Sequence, residues 1–390
     1  MSWIGRCRFL MILAILTVAG AAPGALRDQA EDTEAMRLYV GTYTGEKSKG
    51  IYVIRMDPRT GELSEPQLAA EVARPSFLVI HPSRKFLYCV SEVSQTDGQK
   101  SGAVVAFSVD HQSGQLIRLN HQMSGGQGPC HVAVDRTGQC LVVANYGSGT
   151  VAALPIDEVT GHLLELGSVI QHAGASVHPQ RQEGPHAHSI NFDPTNQFAL
   201  AVDLGIDKVL IYQADVGQGI LHAGQFPAAV LAPGSGPRHL AFHPSKRYAY
   251  VINELANTIT AFSWDAARGA MDEIQTIASL PDGFDAESYT AEVLVHPSGK
   301  FVYGSNRGHD SIAVFGVDES TGKLTAAGHT STQGHWPRNF TIDPGGQFLI
   351  AANERSHNIV VYRIDQDTGA LTPTGASAEV GSPVCLRFLE

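Results

Sequence analysis

The sequence predicts an all-β protein, a seven-bladed β-propeller of four-stranded antiparallel blades, and three observations predict it. A block of short alternating runs recurs along the chain at a period of roughly 50 residues. The chain opens on runs that lack a first strand and closes on a first strand that lacks partners. Its 40 glycines and 20 prolines are spread evenly, as a protein with many turns requires. One four-stranded sheet leaves its edges and faces unburied, so such a block needs copies of itself.

The clearest block is residues 236–265, GPRHLAFHPSKRYAYVINELANTITAFSWD. Runs 238–242, 248–253 and 258–264 are rich in aromatic and β-branched residues and are broken by His-Pro-Ser and Leu-Ala-Asn, which reads as antiparallel strands A, B and C. A fourth run, D, follows an Arg-Gly turn at 271–279. The C run recurs seven times, ending at Asp57, Asp110, Asp157, Asp215, Asp265, Asp318 and Asp365. The A run and its turn recur six times, at His81, Asp135, Asp193, His243, His296 and Asp343. Histidine and aspartate each fill that slot three times, so turn capping explains them. The seventh A run is 382–389, SPVCLRFL, which is expected to complete the sheet begun at Leu38 and close the ring.

Residues 1–25 precede the ring. Arg6 and Arg8, the apolar run 9–18 and small residues at 19–22 read as a secretory signal peptide with cleavage near Ala21 or Ala25. A linker at 26–36 and the propeller at 37–390 follow, so an exported chain with no membrane span after cleavage is expected. The formal charge of −11, without a basic run, argues against nucleic acid or an anionic membrane surface as partner. Cys89, Cys130, Cys140 and Cys385 have no CxxC spacing and fall on strands, so they are expected to be buried free thiols. Oligomeric state leaves no mark in the sequence.

The register points to one face. Ten residues past each A–B turn the B run ends, at Ser91, Asn145, Asp203, Asn253, Asn306 and Asn353. The next residues are Glu92, Tyr146, Leu204, Glu254, Arg307 and Glu354. The A runs start at Ser76, Cys130, His188, Arg238, Ala291 and Arg338, followed by Phe77, His131, Ser189, His239, Glu292 and Asn339. Antiparallel pairing puts both sets at one mouth of the axial channel. The longest D–A connection, 171–185, and residues 280–290 lie on the same face, where binding loops belong.

His188 with its neighbour His186 in GPHAHS, Arg238, Glu254 and Arg307 come from adjacent blades at one height and are the candidate catalytic set. His131, His239, Glu292, Arg338 and Asn339 extend the ring as candidate substrate-binding residues. Histidine suits proton transfer near neutral pH, a carboxylate suits base work, and guanidinium groups suit an anion or a developing oxyanion. GxSxG and HExxH are absent, so metal-free hydrolysis fits better than a serine nucleophile. The bland reading is a structural ion-pair network around a water-filled channel.

At these residues the chain resembles the seven-bladed propeller lactonase family, which includes bacterial 6-phosphogluconolactonases and fungal carboxy-muconate cyclases. The stretches that carry the likeness are GPHAHS, GPRHLAFHPSKRYAYVINEL, AEVLVHPSGKFVYGSNRGHDSIAVF and WPRNFTIDPGGQFLIAANE. The resemblance implies a sugar-acid lactone as substrate, no cofactor and no metal. It implies a catalytic His at His186 or His188, with Arg238, Glu254 and Arg307. With a proton-transfer group or an oxyanion donor lost, Arg238→Ala and Glu254→Gln are expected nearly to abolish turnover with the fold intact. The leader departs from the family pattern, because an exported enzyme would seldom meet phosphogluconolactone, whose route is cytoplasmic. A muconate-type cycloisomerase and a non-catalytic exported binding propeller stay open beside the lactonase.

Overall fold

The computed structural model describes residues 1, 3, 35–223, 226 and 228–389. Residues 2 and 4–25 of the expected leader and 26–34 of the linker fall outside them. From Met36 onward the chain forms seven sheets, each with a core of four antiparallel strands, and the described residues include no α-helix. Blade 4 is typical, with strands A to D at Pro237–Phe242, Tyr248–Asn253, Thr258–Asp265 and Ala270–Ala278. Blade 7 is split as expected. The C-terminal strand Pro383–Leu389 pairs antiparallel with Met36–Thr42, which continues into Gly50–Met56 and Gln67–Glu71.

Burial falls from the inside of each blade to its rim. The B strands Phe86–Ser91, Cys140–Asn145, Phe198–Asp203, Tyr248–Asn253 and Phe348–Asn353 are buried at every position. The D strands Leu116–Met123 and Leu371–Glu379 each keep only their first residue buried. Apolar side chains between blades therefore supply the ring's cohesion.

Two polar devices repeat between blades. Tyr39, Tyr88, Tyr250 and Tyr303 donate their hydroxyls to the carbonyls of Gly114, Gly161, Gly322 and Gly369 in the following blade, at 2.9–3.1 Å. The A–B turn histidines do more than cap. His81, His243 and His296 accept from a serine amide through Nδ1 while Nε2 meets the carbonyl of Gly138, Gly299 or Gly346 one blade on. Where aspartate fills the slot, Asp135 and Asp193 accept several backbone N–H groups of their own turn. Cys89, Cys130, Cys140 and Cys385 are buried and free.

A β-bulge opens the A strand in blades 2 to 6. Pairing skips from Pro129 to His131, Ala187 to Ser189, Pro237 to His239, Thr290 to Val293 and Pro337 to Asn339. The skipped residues include Cys130, His188, Arg238 and Arg338. A bulge leaves a residue out of the ladder and re-aims its side chain. Here it frees these four from the alternation of the strand.

Candidate active site at the channel mouth

The bulged A-strand residues and the residues just past the B strands meet over the axis. They enclose a cavity of about 380 Å³ lined by Glu92, Cys130, Tyr146, Arg181, His188, Glu254, Tyr289, Arg307, Trp336, Arg338 and Glu354.

Glu254 is the centre of charge. Its Oε1 accepts from Arg181 Nη2 at 2.6 Å, and its Oε2 lies 2.9 Å from Arg307 Nη2 and 3.1 Å from Arg238 Nε. Arg238 Nε has no hydrogen bond, so that last contact is an attraction between charges without a directed N–H. Glu254 is 3% exposed. Burial alone would raise its carboxyl, but Arg307, Arg238 and Arg181 outweigh it and hold the group well below the usual range. It is ionised at neutral pH.

His188 presents Nε2 to Glu254 Oε2 at 4.0 Å, while Nδ1 lies 3.8 Å from Cys130 Sγ. Burial, then the charges of Arg238, His239 and Arg338, press its pKa well below 6.5. A neutral imidazole therefore faces an ionised carboxylate. His186 stands differently. Its ring stacks on Tyr146 at 4.5 Å between centroids, its Nδ1 meets the Tyr146 carbonyl at 2.9 Å, and it is absent from the cavity wall.

The arginines divide the work. Arg307 anchors on the carbonyls of Tyr289 and Thr290 at 3.2 and 2.9 Å and faces the cavity. Arg238 lies behind Glu254, donating to Ala291 O at 2.6 Å, and burial with the charges of Arg338 and Arg307 lowers it to about 9. It stays charged at neutral pH. Arg338 rests 5.3 Å over the Tyr43 ring and, among the described residues, has no hydrogen bond or ion pair. Burial works against its charge, but Tyr43, Glu354, Glu92 and Glu254 outweigh it and raise Arg338 above its usual range. Its donors are free to meet a ligand.

His131, His239, Glu292 and Asn339 are buried and do not line this cavity. His239 Nδ1 donates to Glu292 Oε1 at 2.8 Å, Asn339 Nδ2 donates to Glu292 Oε2, and His239 Nε2 receives Arg238 Nη1 at 3.1 Å. His131 packs against Phe77 at 4.1 Å and His239 at 5.4 Å. Among the described residues no group of three or more His, Cys, Asp or Glu is placed to hold a metal ion.

Reading the sequence missed Arg181, Trp336, Tyr43 and Tyr289. Arg181 is the one arginine of the long 171–185 connection, and its Nη2 also donates to Tyr146 Oη at 3.2 Å. Trp336 holds a left-handed backbone (φ 68°), and its ring takes the guanidinium groups of Arg355 at 3.4 Å and Arg307 at 5.5 Å from its centroid. The signals available were Trp336, two residues before Arg338, and the position of Tyr289 within the 280–290 connection assigned to this face.

Comparison with known proteins identifies the family. The family described as lactonase, 7-bladed β-propeller, matches residues 37–388. A 6-phosphogluconolactonase of Bacillus subtilis is 42% identical over 351 residues, covering 90% of this chain and 97% of that protein. A 6-phosphogluconolactonase of Formosa agariphila is 34% identical, covering 78% and 86%. The structure of a periplasmic gluconolactonase from Pseudomonas aeruginosa superposes with a TM-score of 0.85 at 33% identity, covering 91% of this chain and 99% of that one.

Proposed function

This chain belongs to the seven-bladed β-propeller lactonase family, and from that premise we propose that it hydrolyses the ester of a sugar-acid lactone, in the manner of a 6-phosphogluconolactonase. The observation that carries the reading is the neutral His188 facing ionised Glu254 across 4.0 Å, on a wall shared with Arg307 and the unpartnered Arg338. That gap lets one water bond to both His188 Nε2 and Glu254 Oε2 at ordinary lengths of about 2.8 Å.

The chemistry runs as general base catalysis. His188 takes a proton from that water as its oxygen attacks the lactone carbonyl carbon. Glu254 stabilises the imidazolium, and Arg307 and Arg338 stabilise the oxyanion. As the ring C–O bond breaks, the imidazolium returns its proton to the leaving oxygen, giving the open hydroxy acid. Arg238 and Arg181 hold Glu254 ionised, and no step uses a metal. Glu254 itself is a weak base among three guanidinium groups, so His188 suits that task better.

Six charged side chains on the wall support catalysis over a binding-only propeller, which an apolar patch would favour. Export and an unphosphorylated lactone form a second reading, favoured by the leader-like sequence expected at 1–25 and by the periplasmic gluconolactonase neighbour. No helix among the described residues is long and apolar enough to cross a membrane. A panel of aldonolactones with and without phosphate, followed by acid release, together with muconates followed by ultraviolet absorbance, tests all of these. Acid release from an aldonolactone supports the proposal, and silence across the lactones overturns it.

A further inference from the structure

Asp207 closes the turn that follows the blade 3 B strand, in a left-handed backbone (φ 52°), and is 3% exposed. Its carboxylate accepts four hydrogen bonds. Oδ1 receives Gln182 Nε2 at 2.8 Å and Gly236 N at 2.7 Å, and Oδ2 receives Ser176 Oγ at 2.5 Å and Gly234 N at 2.7 Å. One side chain thus ties two connections together. The first, 171–185, carries Arg181 beside Gln182. The second ends at Gly236, whose carbonyl accepts the Glu254 N–H at 2.7 Å before the chain enters Arg238.

The equivalent slots in other blades set the background. Asn257, Asp310 and His357 also have positive φ. Asn257 donates to Ser288 O, Asp310 accepts from Trp336 N, and His357 Nδ1 accepts from Ser382 N. Each bonds the connection entering the next blade, which is ordinary coupling between blades. The bonds from Asp207 to Gly234 and Gly236 do the same. Its bonds to Ser176 and Gln182 reach back to the preceding connection, and blade coupling does not need them.

We propose that Asp207 is a positioning residue of the lactonase site, a latch that holds the Arg181 connection against Glu254 while fixing the backbone that carries Glu254 and Arg238. It acts through Arg181 and touches no substrate. The kinetic part of this rests on the lactonase reading.

A double-mutant cycle in kcat/KM tests it. Asp207→Asn suits the left-handed backbone but sets an amide against the Gly234 N–H. Asp207→Asn and Arg181→Ala should each lower kcat/KM by roughly 10- to 100-fold, since a small misplacement at a site is felt strongly. The double variant should then fall no further than about twofold below the worse single one. The acid limb of the pH profile, set by His188, should rise in both singles, because Glu254 then has one cation fewer to offset it and favours the imidazolium 4.0 Å away more strongly. If Asp207→Asn folds poorly, Gln182→Leu removes one latch bond and leaves the Gly234 and Gly236 bonds in place. Single effects that multiply in the double variant, with an unmoved acid limb, overturn the latch. A second readout is independent of turnover: tryptic cleavage after Arg181 should speed up in Asp207→Asn and Gln182→Leu, and an unchanged rate overturns the latch as well. A wild-type protein silent on lactones removes the lactonase reading, and the proteolysis still decides whether Asp207 holds the connection.

Discussion

Arg307 of blade 5 sets its Nη2 2.9 Å from Oε2 of Glu254 in blade 4, with its other contacts spent on the carbonyls of Tyr289 and Thr290. The pair crosses a blade boundary over the axis, and both partners are nearly dry. A lysine has neither the planar fork nor the reach to keep three such contacts. Arg307→Lys should therefore remain folded and lose about 10²–10³-fold in kcat/KM, the usual loss for one oxyanion donor. Kinetics beside a thermal melt check both halves.

The same burial revises one expectation from the sequence. Glu254→Gln leaves Arg181, Arg238 and Arg307 facing one another without their carboxylate. Breaking a buried pair costs about 3–5 kcal/mol, so this variant should lose stability as well as turnover. Denaturant unfolding measures the difference.

The two histidines of GPHAHS should separate in kinetics. His188→Gln should lower kcat about 10²–10⁴-fold, as loss of a proton-transfer group does. His186→Gln removes a stacking partner of Tyr146 and should lower it less than about tenfold by the same scale. Equal losses would assign the role differently.

Acid should act in two ways. His188 is held neutral by burial and by Arg238, His239 and Arg338, so the acid limb of kcat/KM should lie below pH 6.5. Arg338→Gln removes one of those charges, which favours the imidazolium and should move the limb upward. Glu254 is depressed in the folded state, so its contribution to stability is full above the unfolded carboxyl value of about 4.3 and is lost as pH falls through the lower folded one. Acid unfolding of Glu254→Gln should lack that part of the slope.

Tyr88→Phe probes the ring apart from the site. It removes the bond to Gly161 O and should lower stability by about 1 kcal/mol with kcat unchanged.

The ring was legible because alternation, turn residues and the split terminal unit repeat the same physical requirement in each blade. The ten-residue offset brought Glu92, Tyr146, Glu254, Arg307 and Glu354 to the cavity, and erred only at Leu204, which is packed and fully buried. The bulges were not legible, since nothing in Cys130, His188, Arg238 or Arg338 marks a residue that leaves the ladder. One consequence is that His131, His239 and Asn339, next in sequence to Cys130, Arg238 and Arg338, look equivalent to them yet do not line the cavity, while Glu292, itself skipped by the blade 5 bulge, bonds His239 instead. Arg181 was missed because a long connection has no periodicity from which to read where its side chains point.

The most direct measurement is acid release from glucono-1,5-lactone and its 6-phospho form by the purified wild-type protein and by Glu254→Gln, assayed where circular dichroism shows both folded. The account predicts turnover of at least one lactone by the wild type and a loss of about 10²-fold or more in the variant. Wild-type rates in a folded Glu254→Gln protein would contradict it.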